Sequence, residues 1–142
     1  MVKIKICGLT ALDDVNSVNE AIPDYIGFVF AKSKRQVDFK QAKYLKEALS
    51  KQIKSVGIFV NENIDFIKLL SNEGIIDVIQ LHGDEDEEYI TKIKTIGKPV
   101  IKAIRVKNKE DIIEISTDYT LFDTYNKERY GGIGESFLKG EI

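Results

Sequence analysis

Short runs of β-branched and aromatic residues alternate along the chain with segments whose apolar positions recur at helical spacing. The first run, Lys3 to Gly8, alternates strictly, with Lys3, Lys5 and Cys7 on one side and Ile4 and Ile6 on the other. A helical segment from Asp13 to Ala21 follows, with Thr10 or Asp13 as its cap, and Pro23 stops it. The second run is Tyr25 to Phe30, followed by a basic loop, Lys32-Ser33-Lys34-Arg35-Gln36. Asp38 and Gln41 form a capping box for a helix to about Leu49, with Ala42, Leu45 and Leu49 on one face. The third run, Ser55 to Val60, leads through the cap candidates Asn61 and Asn63 into a helix that Gly74 ends.

The fourth run, Asp77 to Gly83, precedes the acidic stretch Asp84 to Glu88, read as a solvated first helical turn suited to the positive end of the helix dipole and not as a metal site. Gly97 and Pro99 close that helix. The fifth run, Pro99 to Val106, is followed by Asn108-Lys109-Glu110-Asp111, which predicts a helix to about Ser116. The sixth, Tyr119 to Thr124, meets a loop ending in Gly131-Gly132-Ile133-Gly134.

A repeat of roughly 20 to 30 residues is the length of one βα unit, and its repetition implies a parallel sheet. The architecture is either an open doubly wound sheet or a β/α barrel. An open sheet gathers its polar residues at one crevice, whereas a barrel draws on many strand ends. Here the strand ends carry Cys7, Asn61, His82, Arg105 and Asp123, with Arg35 in the loop after the second, and that spread favours the barrel. The expectation is one α/β domain over residues 1–142, of parallel TIM-barrel type, with six strands of the usual eight. Such a barrel is either incomplete or completed by association through its open edges.

Composition narrows the function classes. With 43% hydrophobic and 31% charged residues, the 142-residue chain is long enough to bury a core. The net charge is -2, and lysines alternate with acids instead of clustering, which gives no nucleic-acid footprint. A single cysteine excludes an internal disulfide framework, and the start of the chain lacks the apolar run of a signal peptide or membrane span, so the cytoplasm is expected. Neither a dinucleotide fingerprint nor a Walker loop is present.

Cys7 and Asp123 end the first and sixth runs and in a barrel project into one mouth, where a thiol and a carboxyl can serve as proton acceptor and donor. That role requires the thiol pKa to fall toward neutrality and partial burial to keep the carboxyl protonated. Each residue also has a plainer reading, Cys7 as a small packing residue and Asp123 as a turn or cap residue. Arg35 offers a planar fork of donors for a carboxylate, or belongs to a solvated basic loop. His82 is a ligand contact, a metal ligand or a strand-end polar residue, and without a second His or Cys nearby metal is disfavoured. Gly131, Gly132 and Gly134 allow a backbone to approach an anion closely, or form a flexible turn.

The residues Lys5 to Thr10, Gly27 to Phe30 with Ser33-Lys34-Arg35, Val56 to Asn61, Gln80 to Glu85, Lys102 to Arg105, and Phe122-Asp123 leading to Gly131-Gly132-Ile133-Gly134 together resemble the phosphoribosylanthranilate isomerase family of tryptophan biosynthesis. The resemblance implies a β/α barrel and an intramolecular oxidoreductase-type isomerase. Its reaction is the Amadori rearrangement of N-(5-phosphoribosyl)anthranilate to an aminoketose phosphate, without metal or organic cofactor. It further implies Cys7 as general base at the sugar C2, Asp123 as general acid at the ring oxygen, and Arg35 on the anthranilate carboxylate. His82, Gly131, Gly132 and Gly134 would be further substrate contacts. Members of the family are about 200 residues long and hold the substrate phosphate largely at their seventh and eighth strands, a length typical of the fold. Two other readings keep the fold and change the function. One is a catalytically inactive partial barrel that self-associates through its open edge, and the other is a barrel acting on a different phosphosugar.

Overall fold

The computed structural model describes residues 2–113 and 115–124. Gly131, Gly132 and Gly134 lie outside the described residues. The strands are β1 (Lys5–Cys7), β2 (Tyr25–Val29), β3 (Lys54–Phe59), β4 (Val78–Leu81), β5 (Val100–Val106) and β6 (Tyr119–Thr124). Between them run helices α1 (Leu12–Ala21), α2 (Phe39–Ala48), α3 (Ile64–Asn72) and α4 (Glu87–Lys94). The six strands form one sheet in sequence order, every neighbouring pair parallel. An uninterrupted 1-to-6 order places each helix on the same side of the sheet and curls it into a half-barrel, and the barrel reading of the strand ends holds.

The convex face carries the main core. Ile26 and Phe28 of β2, Phe59 of β3, Ile79 and Leu81 of β4 and Val100 of β5 pack in one cluster with the apolar stripes of the helices: Val15 and Val18, Ala42 and Leu45, Ile67 and Leu70, Ile90 and Ile93. These side chains are nearly all removed from water, and each valine, leucine, isoleucine or phenylalanine contributes about 1.5–3 kcal/mol relative to exposure. A smaller cluster, Val56, Ile58 and Val78 against Tyr25, Val29 and Ile101, lines the concave face. That alternation is why the strands read as nearly continuous apolar runs.

The helix starts follow the expected caps in part. Asp38 accepts from the Gln41 backbone N–H at 2.8 Å, Asn63 from that of Asp65 at 2.8 Å, and Asp86 from that of Tyr89 at 2.8 Å. The Gln41 side chain does not close its capping box, because it donates to the Thr10 carbonyl instead. At α1 neither Thr10 nor Asp13 is the cap. Asp14 reaches back to accept from the backbone N–H groups of Thr10 at 2.9 Å and Ala11 at 3.0 Å.

One further expectation is corrected. The segment after β5 forms a single 3₁₀ turn, Lys109–Asp111, and Ile112 is already extended, so no helix continues toward Ser116. The Asp111 carboxylate satisfies the local N–H groups of Lys107 and Asn108, but the isoleucines that follow are poor helix formers and do not propagate the turn. Ile4 and Ile6, on the side of the first strand opposite Cys7, are 58% and 39% exposed.

Candidate active site

The carboxyl ends of the strands open onto the concave face, and Cys7 sits at the end of β1, open to solvent. Its register partner is Gly27. A Cβ at Gly27 would lie 2.8 Å from Cys7 Sγ, so the thiol occupies space that only glycine leaves. The chain then turns at Gly8, whose φ of 87° is a left-handed conformation, and its N–H donates to the Gly27 carbonyl at 2.9 Å. Arg35 lies over this turn. Its Nη1 donates to the Cys7 carbonyl at 3.3 Å, and a Cβ at Gly8 would come within 2.5 Å of Arg35 Cδ. The guanidinium and the thiol therefore share one wall of the mouth.

Although Cys7 is exposed as a residue, its surroundings remove enough water from the sulfur that burial pushes the thiol pKa up. The charges of Lys5 and Arg35 and the Gly8 N–H pull it the other way without winning. The expected fall toward neutrality is therefore reversed in the ligand-free chain. A thiol of raised pKa is less ionised at neutral pH but a stronger base once ionised.

On β6, Asp123 accepts or donates through Oδ2 with His82 Nε2 at 2.9 Å, the two side chains being 23% and 11% exposed. His82 follows β4, and its Nδ1 lies 3.2 Å from Gln80 Nε2. Gln80, 2% exposed, accepts through Oε1 from the ammonium of Lys5. The Lys5–Gln80 contact joins β1 to β4 across the concave face, which only a strongly curled sheet allows. Of the residues singled out by sequence, Cys7 with Arg35 and His82 with Asp123 are brought together in pairs. Arg105, the register partner of Asp123, carries its guanidinium to Asp84. Asn61, at φ 50°, caps the next loop by accepting from the Asp84 N–H at 2.9 Å.

The acidic stretch after β4 is not uniformly solvated. The Glu85 side chain is 0% exposed and pairs with Lys102 at 2.8 Å, while Lys102 also donates to the Gly83 carbonyl at 2.7 Å. Glu85 accepts from the N–H of Gly83 at 2.9 Å and of Asn61 at 2.8 Å. One carboxylate thus clamps the loops after β3 and β4 to β5. Lys5, Gln80, Glu85 and Lys102 were not singled out as functional from sequence. Lys5 and Gln80 carried a legible signal, since each stands two residues before Cys7 or His82 on a strand and shares its face. Among the described residues no group of three His, Cys, Asp or Glu side chains forms a metal-ligand set. No helix there is long and apolar enough to cross a membrane.

Comparison with known proteins agrees with this fold. Residues 4–140 match the family model for N-(5'phosphoribosyl)anthranilate (PRA) isomerase. The N-(5'-phosphoribosyl)anthranilate isomerase of Endomicrobium trichonymphae is 51% identical over 138 residues, which are 96% of this chain and 69% of the relative. The crystal structure of phosphoribosyl anthranilate isomerase from Thermotoga maritima superposes with a TM-score of 0.82 at 35% identity, covering 97% of this chain and 68% of that one. A crystal structure of such an isomerase in complex with reduced 1-(o-carboxyphenylamino)-1-deoxyribulose 5-phosphate gives a TM-score of 0.79 at 35% identity, covering 89% of this chain and 66% of that one. With its TIM-barrel-type half-barrel and these relatives, the chain belongs to the N-(5'-phosphoribosyl)anthranilate isomerase family, the isomerases of tryptophan biosynthesis.

Proposed function

We propose that Cys7 and Asp123 perform the acid and base steps of the family's Amadori rearrangement on N-(5-phosphoribosyl)anthranilate, with Arg35 holding the anthranilate carboxylate. Asp123 gives a proton to the furanose ring oxygen as the C1–O bond breaks. The anilino nitrogen lone pair forms the C=N bond of the open-chain Schiff base. The Cys7 thiolate then takes the proton from C2, the C2–H electrons form the C1=C2 bond, and the C=N π pair returns to nitrogen to give the enolamine. Protonation at C1 and loss of the enol proton yield the aminoketose. The iminium is the electron sink, so the acid and the base suffice.

The observation that carries this reading is the placement of a thiol and a carboxyl at the ends of β1 and β6 of one curled sheet, with a guanidinium over the turn that follows the thiol. Arg35 is bound to the Cys7 backbone, which sets a carboxylate held by it close to the sulfur. Gly131, Gly132 and Gly134 are proposed to approach the substrate phosphate. The test is loss of the fluorescent substrate, followed with the unaltered chain and with Cys7→Ser and Asp123→Asn. Consumption that either substitution abolishes supports the reading. Unchanged rates after both would assign the chemistry elsewhere, and no consumption by any of the three would overturn the reading for this chain.

A second reading, self-association through the open edge, is favoured by the exposed apolar residues of the edge strands, Ile4 and Ile6 at one side and Phe122 at the other. Sedimentation of a folded monomer would refute it.

A further inference from the structure

The polar groups of the concave face form a chain that crosses it: Lys5 to Gln80, Gln80 to His82, His82 to Asp123. Hydrogen-bonding chemistry fixes its direction. An ammonium only donates, so Gln80 must turn its carbonyl oxygen to Lys5 and its amide nitrogen to His82. That nitrogen only donates, so His82 Nδ1 must receive it with a lone pair. A neutral imidazole with an unprotonated Nδ1 carries its hydrogen on Nε2, and Nε2 faces Asp123 Oδ2.

We propose that Lys5, read through the amide of Gln80, holds His82 in the Nε2–H tautomer and thereby fixes Oδ2 of Asp123 as a hydrogen-bond acceptor, making the three residues positioning groups for the acid. The part that concerns catalysis rests on the assignment of Asp123 above. A hydrogen on Nδ1 would meet the Gln80 amide donor to donor. Through this chain the imidazole is joined to Lys5 by way of Gln80 and to Asp123 directly.

The chain contains one histidine, so nitrogen-15 histidine labelling reports on His82 alone. Long-range proton–nitrogen correlation at mildly alkaline pH should show Nδ1 as the unprotonated, acceptor-type nitrogen and Nε2 as the protonated one. Lys5→Met frees the amide to flip, and the Nδ1–H tautomer should appear, whereas Lys5→Arg keeps a donor-only cation and should preserve the original form. Gln80→Glu places acceptor oxygens at both ends, so Nδ1 should gain a hydrogen. A predominant Nδ1–H form in the unaltered chain overturns the proposal even if no variant folds. So does an identical tautomer in Lys5→Met and Gln80→Glu. In turnover, Gln80→Leu should lower kcat by about 10- to 100-fold with little change in KM, the usual effect of removing an orienting partner. The tautomer is read without substrate. A rate indifferent to Asp123→Asn therefore removes the acid assignment and leaves the relay standing, and the reverse result removes only the relay.

Discussion

Replacing Lys102 by Met should destabilise the chain by about 3–5 kcal/mol, the cost of leaving a buried charge without its partner. The Lys102 ammonium has two acceptors, Gly83 O at 2.7 Å and Glu85 Oε1 at 2.8 Å, and its side chain is 7% exposed. Each such charge-assisted bond is worth about 1.5–3 kcal/mol, and desolvation of the lysine, which methionine avoids, returns part of that sum. The larger effect is on Glu85, whose fully buried carboxylate would keep only the N–H groups of Gly83 and Asn61. Glu85→Gln retains an acceptor for one of those N–H groups but strands the Lys102 charge beside the Gly83 carbonyl. Its cost should be comparable. The double variant carries neither charge, so its loss should fall well short of the sum, with a coupling of about 2 kcal/mol or more of the kind seen for residues sharing one network. Urea denaturation followed by circular dichroism measures all three, with m-values compared to check that the unfolded state is unchanged. A Lys102→Met loss below about 1 kcal/mol, or additive single effects, would refute the clamp.

Other substitutions test other links. Asp77 is partly buried, which opposes ionisation, yet the Lys46 ammonium at 2.7 Å and the Ser55 N–H at 2.9 Å outweigh this and hold its carboxyl below the usual range. Its stabilising effect is therefore present above about pH 4 and lost as pH falls through the folded value, and Asp77→Asn should flatten the acid limb of a stability–pH curve and cost about 1 kcal/mol at neutral pH after solvent screening. An unchanged acid limb would contradict the pairing. Because burial raises the Cys7 pKa, folding favours the thiol, and that contribution is complete below the unfolded value of about 8.5 and declines as pH rises through the folded one. Iodoacetamide alkylation should accordingly accelerate at higher pH in the folded chain than in urea, and an earlier rise would count against it. Gly27→Ala places a Cβ 2.8 Å from Cys7 Sγ and 2.9 Å from Ile58 Cδ1, so both must shift, and calorimetry should register a loss of about 1–3 kcal/mol.

The alternation of strands and helices was legible because it is written locally, in β-branched runs, Asx caps and stops such as Gly74 and Gly97, each acting within a few residues. Cys7, His82 and Asp123 were legible as candidates for a related reason, since a polar side chain at the end of an apolar run is conspicuous. The segment after Val106 misled because the cap signal at Asn108 and Asp111 is real, but a cap nucleates a turn and does not supply an apolar face to extend it. Glu85 was hidden by its acidic neighbours: nothing in five consecutive acids marks the one that turns inward, and only the loop path past Asn61 decides it. The Lys5–Gln80 contact spans 75 residues and exists only because four strands curl far enough to bring β1 over β4. Its ingredients are nevertheless periodic. Lys5 lies two residues before Cys7, and Gln80 two before His82, so the pleat puts both pairs on one face with the first member one layer deeper. A polar residue two positions beneath a strand-end candidate is therefore an orienting partner in waiting, and in a barrel its counterpart is to be sought on a strand across the lumen.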